Sequence, residues 1–179
     1  MLYAFAFERI GVVASDLYFV DPDPSPGQEG AERGVRLELR TVERGELHGS
    51  IYSAQPIAVD RAVWRVDLLE SVEGPPGSFD RTHHHPAFSG WEPSPRVFVK
   101  ELSADPLGWL ETRLGDLDGI LAEAGVAPTE VHPSDGPSLK AAAPEIVAAV
   151  GSLLARVRAG ELARAPGGDD VPSARVSWL

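Results

Sequence analysis

Apolar and polar residues alternate from Val35 to Val42. Val35, Leu37 and Leu39 fall on one side of an extended chain, and Arg36, Glu38 and Arg40 on the other. That is the pattern of an antiparallel strand with one face in a core and one polar face. The same rule applied to Ala62–Glu70 places Trp64, Val66 and Leu68 on one face and Arg65 and Asp67 on the opposite one. Ile10–Val20 is rich in β-branched and aromatic residues and predicts another strand, with a further one expected around Ser50–Gln55. Between them, Asp21-Pro-Asp-Pro-Ser-Pro-Gly27 cannot join a sheet ladder, because proline lacks the donor, so an exposed loop is expected there, running on to Gly34. The short links favour an antiparallel meander over βαβ crossovers.

After residue 100 the period changes. Asp105-Pro106 reads as an N-cap followed by proline at the first helical position. Leu107, Leu110, Leu114, Leu117, Leu121 and Ala124 then recur every three or four residues up to Gly125, as in an amphipathic helix. A Pro/Gly-rich link over residues 128–137 leads to a second helix over residues 144–159, with Ile146, Val150, Leu153 and Val157 as its stripe. The expected fold is therefore α+β: a mainly antiparallel sheet from the first 100 or so residues, packed by two C-terminal helices. One domain over residues 1–179 is expected, ending after residue 160 in a flexible link and a strand or tail that carries Trp178.

Composition narrows the chemistry. The chain has no cysteine, which removes disulfides, thiolate nucleophiles and Cys-ligated clusters together. Acids outnumber bases 27 to 16, for a formal charge of -11. The charge is spread over both halves with no basic stripe, so nucleic acid is disfavoured as a partner. The apolar start, Met1 to Phe7, gives way to Glu8 and Arg9 and lacks the pattern of a signal peptide. No uninterrupted apolar run approaches the roughly 20 residues that span a bilayer. A cytoplasmic protein without a membrane segment is the expectation.

One constellation carries chemistry. The segment from Phe79 to Trp91 holds three of the five histidines, in the run Thr82-His-His-His-Pro86. If this run is extended, His83 and His85 share a face and His84 points away; Pro86 biases His85 toward that conformation. Two imidazoles on one face can chelate a divalent metal such as zinc, with Asp67 or Asp80 as an oxygen ligand. Alternatively, His83 or His85 acts as a general base beside Asp80, while Arg65, Arg81 and Arg96, with Trp91, bind an anionic small molecule. The polar faces of the two clearest strands, Arg36, Glu38, Arg40, Arg65 and Asp67, would form a charged floor beneath this loop. Two function classes follow. One is a small enzyme or ligand-binding domain with a His/Asp/Arg site on residues 79–96. The other is a non-catalytic acidic adaptor that binds a protein partner.

Overall fold

The computed structural model describes residues 1–165. Its first part is a five-stranded antiparallel sheet in simple meander order: β1 (Leu2–Ala6), β2 (Ile10–Val20), β3 (Ala31–Arg44), β4 (Ile57–Ser71) and β5 (His83–His85). A small hairpin follows, β6 (Phe88–Ser89) with β7 (Glu92–Pro93). The helices come last: α1 (Lys100–Ala104), α2 (Pro106–Leu114), α3 (Leu117–Ala124) and α4 (Asp135–Arg158). The fold is α+β, with the helices packed on one face of the sheet. The expected C-terminal link and strand lie outside the described residues.

The alternation seen in sequence sets the two faces. Val12 pairs with Leu39, Ala14 with Leu37, Leu37 with Val66 and Leu39 with Trp64, so each register pair stacks like on like. These side chains are buried, and they meet Leu102, Leu110, Leu114, Ile120, Leu139, Ile146, Val150 and Leu153 in one contiguous cluster. Burying each such side chain contributes about 1.5–3 kcal/mol, and this sheet–helix core is the main source of stability. On the opposite face β3 and β4 carry Glu32, Arg36, Glu38, Arg65 and Asp67. Gly34 sits among them because β3 and β4 approach closely there: a Cβ would lie 2.0 Å from the Leu68 carbonyl oxygen.

Several expectations need correction. The apolar N-terminus is strand β1, paired along its length with β2. β3 starts at Ala31, so the proline-rich loop ends at Gly30 rather than Gly34. No strand forms at Ser50–Gln55. Those residues belong to the β3–β4 connection, which is closed at its base by Gly45 N–H donating to the Pro56 carbonyl at 2.9 Å. The leucine stripe predicted as one helix is broken into α2 and α3, because Asp116 caps a new helix by accepting from Gly119 N–H at 3.0 Å. The last helix begins at Asp135, nine residues earlier than expected, and carries Pro144 within it. With α1, four α-helices stand among the described residues where two helices were expected.

α4 is long and apolar enough to cross a membrane by length and composition, with a mean hydropathy of 1.3 over its most apolar 18 residues. Its apolar stripe, Leu139, Ile146, Val150, Leu153 and Val157, is buried in the structure, as in a core helix.

Candidate metal centre

The histidine run is a strand, not an irregular loop. β5 pairs with β4 so that His83 lies opposite Asp67, His84 opposite Val66 and His85 opposite Arg65. The outer edge of β5 is closed by a bridge between His84 and Val97. As the alternation predicted, His83 and His85 share the helix-free face and His84 turns to the other. The charged floor lies beside the imidazoles, in the same sheet face, and not beneath them.

Asp67 is the hub. It is 1% exposed, and Arg36 grips its carboxylate with two bonds, Nε to Oδ1 at 2.8 Å and Nη2 to Oδ2 at 3.1 Å. Arg65 Nε lies 3.2 Å from Oδ2, near enough for an ion pair but not aligned to donate a hydrogen bond. Burial on its own would raise the Asp67 carboxyl. The Arg36 charge, then His83 and His85, then Arg65 outweigh it and hold the group well below the usual carboxylate range.

The imidazoles are oriented from behind. His83 Nδ1 is 2.7 Å from the Arg81 carbonyl and His85 Nδ1 is 2.5 Å from the Ser94 carbonyl. A carbonyl oxygen only accepts, so both Nδ1 atoms carry the proton and donate. In a neutral ring the lone pair is then on Nε2, and both Nε2 atoms face Asp67: that of His83 lies 3.5 Å from Oδ2 and that of His85 lies 3.7 Å from it. Burial keeps His85 below the ordinary imidazole range, against the opposing pull of Asp67.

One oxygen and two nitrogens, each bearing a lone pair, thus lie within 4.8 Å of one another. For metal bonds of about 2.0–2.1 Å in tetrahedral geometry, donor atoms sit about 3.4 Å apart. The two Asp67–histidine separations are within a few tenths of an ångström of that value, while the two histidine nitrogens lie within 4.8 Å of each other. Anchoring of each Nδ1–H to a carbonyl is also the outer-shell arrangement typical of metal-bound histidine. The donor set suits zinc, and two histidines with one carboxylate also suit iron(II). Opposing this, Arg65 Nη2 lies 2.9 Å from His85 Nε2 and donates to the lone pair an ion would use.

The other candidate residues are placed elsewhere. Asp80 caps the turn after β4: it accepts from Ser71 N–H at 3.0 Å and from Ser78 Oγ at 2.7 Å. Arg81 donates to the carbonyls of Gly27 and Glu29, and Arg96 bonds Gln28 and Glu32. Both guanidiniums fasten the proline-rich loop to the sheet instead of facing an anion site. Trp91 is 66% exposed on the β6–β7 hairpin, with the Arg40 guanidinium 5.8 Å from its ring centre. Of the seven residues singled out in sequence as catalytic or substrate-binding, only His83, His85 and Arg65 converge, and they converge on Asp67.

The sequence places Arg36 in the charged floor without marking it as the closest partner of that hub. Arg36 sits across from Asp67 in the β3–β4 register, and opposite charges on the polar faces of consecutive strands were the one signal for it. Asp135 was missed. It is fully buried and accepts from Glu8, Arg9 and His132 N–H at 2.9, 3.3 and 2.7 Å, tying the start of α4 to the β1–β2 turn.

Compared with protein-family models, characterised proteins and solved structures, the chain matches none. The assignment of function rests on the residues themselves.

Proposed function

We propose that this chain is a small ligand-binding or enzymatic domain whose working centre is a divalent-metal site of the zinc class, with Asp67, His83 and His85 as its protein ligands. The observation that carries the proposal is the convergence of three lone pairs whose histidines are both pinned at Nδ1. His85 Nε2 already accepts from Arg65 Nη2 at 2.9 Å, whereas His83 Nε2 is turned to Asp67. Here His83 Nε2 and Asp67 Oδ2 face each other at 3.5 Å, beyond a well-formed hydrogen bond. Three protein ligands leave a further coordination position for water or substrate, the arrangement of a catalytic rather than a closed structural metal site.

The direct test is metal analysis and calorimetry on untagged protein stripped with a chelator. The expected result is one Zn²⁺ per chain, with binding weakened at least about tenfold in His83→Gln and in His85→Gln. Thermal melts run beside the titrations show whether each variant is folded. Failure of the folded wild-type chain to take up Zn²⁺, Co²⁺ or Fe²⁺ would refute the proposal without recourse to any variant.

A further inference from the structure

Within the metal reading, on which this step rests, Arg65 is the residue whose present contacts make least sense as a final state. It is a buried cation, 9% exposed. Among the described residues its side chain has one hydrogen bond, from Nη2 to His85 Nε2, and its Nε finds no hydrogen-bond partner. The bidentate contact with Asp67 already belongs to Arg36, so one carboxylate is shared by two guanidiniums and the cluster holds surplus positive charge. Glu38, opposite Arg65 in the β3–β4 register, acts on both guanidiniums and offsets part of that surplus, although its own ion pair is with Arg40.

Arg65 therefore stands in the place of a cation: near Asp67 Oδ2 and on the lone pair of His85. A metal ion bound to those atoms must displace it. A divalent ion beside two arginines then concentrates positive charge that Asp67 and Glu38 together do not offset, and burying unpaired charge is costly. An anion in the open coordination position relieves that cost. The displaced guanidinium is planar, permanently charged and shaped to grip two oxygens at once. Phe88 of the β6–β7 hairpin covers it, with 5.9 Å between the guanidinium carbon and the ring centre, so it is already shielded from bulk water.

We infer that the ligand taken by this centre in addition to the metal is a small oxyanion, a carboxylate or phosphate group, and that Arg65 is the residue that holds it. The same side chain has two positions: on His85 and Asp67 without metal, and on the metal-bound anion with it.

The test uses the full chain loaded with Co²⁺, whose visible absorption reports its coordination. Titration with acetate in one arm and methyl phosphate in the other is expected to change the spectrum saturably, and the tighter arm names the oxyanion; acetamide, the neutral analogue, is expected to do nothing. Arg65→Ala is expected to bind Co²⁺ about tenfold more tightly, because the competitor for His85 is gone, and to lose at least about tenfold in anion affinity. Arg65→Lys, a fallback if the alanine variant does not fold, is expected to keep the charge but weaken anion binding several-fold through loss of the planar fork. Arg61→Ala, at an exposed ion pair with Glu130, is the control and should match wild type. An unchanged Co²⁺ affinity and anion response in folded Arg65 variants would overturn this inference while leaving the metal centre standing. An equal response to acetamide would overturn it as well. Absence of Co²⁺ binding in both wild type and Arg65→Ala would remove the metal centre itself.

Discussion

His84 is the histidine of the run that faces the helices. It lies beside the stacked pair Trp64 and Trp109, with ring centres 6.3 and 5.4 Å away. Burial first, and then the Arg113 charge, lower its pKa. His85 is lowered too, by burial first. A folded-state imidazole with a depressed pKa stays neutral where the unfolded chain, titrating near 6.5, already binds a proton. Stability is therefore unaffected by these two groups at neutral pH and falls as pH drops below about 6.5. Asp67, held well below the usual range, adds a separate loss only at lower pH, once the unfolded carboxyl begins to protonate near 3.9. The melting temperature is accordingly expected to be lower at pH 5.5 than at pH 7.5, by a smaller margin in His84→Phe, which keeps an aromatic ring against both tryptophans. An unchanged pH dependence in that variant would show that His84 does not contribute. Asp135 makes a second residue-level case. Replacing it with alanine removes the shared acceptor of three part-buried backbone hydrogen bonds, from Glu8, Arg9 and His132; at about 0.5–1.5 kcal/mol for each bond lost, a loss of at least about 2 kcal/mol in denaturant titration is expected. A loss under 0.5 kcal/mol, roughly the scale of an ordinary surface change, would rule out a role as a staple.

At the level of elements, the period of the pattern was readable and its interruptions were not. Alternation in β3 and β4 assigned Trp64 and Val66 to the core, and Arg65 and Asp67 to the polar face, because a two-residue repeat admits only two faces. It could not show that His83 would lie opposite Asp67. That depends on cross-strand register, which the turn from Val72 to Thr82 determines and the strands alone do not. The helical break between α2 and α3 was hidden for a different reason: Leu114, Leu117 and Leu121 keep their spacing across it and remain buried on the same side. The signal lay in a repeated cap. Asp105 accepts from Gly108 N–H at 3.1 Å and Asp116 from Gly119 N–H at 3.0 Å, and a Cβ on either glycine would come within 2.2 Å of the capping carboxylate. Gly119→Ala should therefore fail to give the gain of about 0.5–1 kcal/mol that replacing a helical glycine ordinarily brings, because the added methyl expels the cap. In an Asp116→Ala background, where there is no cap to expel, that gain should appear. A double-mutant cycle is expected to show a coupling of about 1 kcal/mol between the two positions. Strict additivity would mean the glycine is there for another reason.

For the whole molecule, charge and surface lead in different directions. The formal charge of -11 is an outer property; of the arginines closest to Asp67, Arg65 is buried and Arg36 half-buried, and both are turned to its carboxylate instead of forming a basic surface for a polyanion. Exposed apolar side chains are instead concentrated at the far end of the β3–β4 hairpin, where Ile51 is 83% and Tyr52 91% exposed, with Leu47 and Ile57 also open to solvent. Core packing does not require this tip. The hairpin is closed below it by Gly45 and Pro56, and Gln55 adds only a side-chain bond back to the Gly45 carbonyl at 2.8 Å. Since loop-closure entropy changes slowly with length, replacing residues 46–55 by a short Gly-containing turn has little thermodynamic consequence if the β3–β4 register holds. The shortened chain is expected to melt within a few degrees of the parent, with an unchanged denaturant m-value and the same Zn²⁺ stoichiometry, because the proposed metal ligands lie beyond the bulge that interrupts pairing near Arg40. It should also bind less of a hydrophobic dye, having lost its most exposed apolar residues. If the truncation instead abolished metal binding while the fold survived, residues 46–55 would belong to the working centre, and the boundary of the site would have to be redrawn to include the hairpin tip.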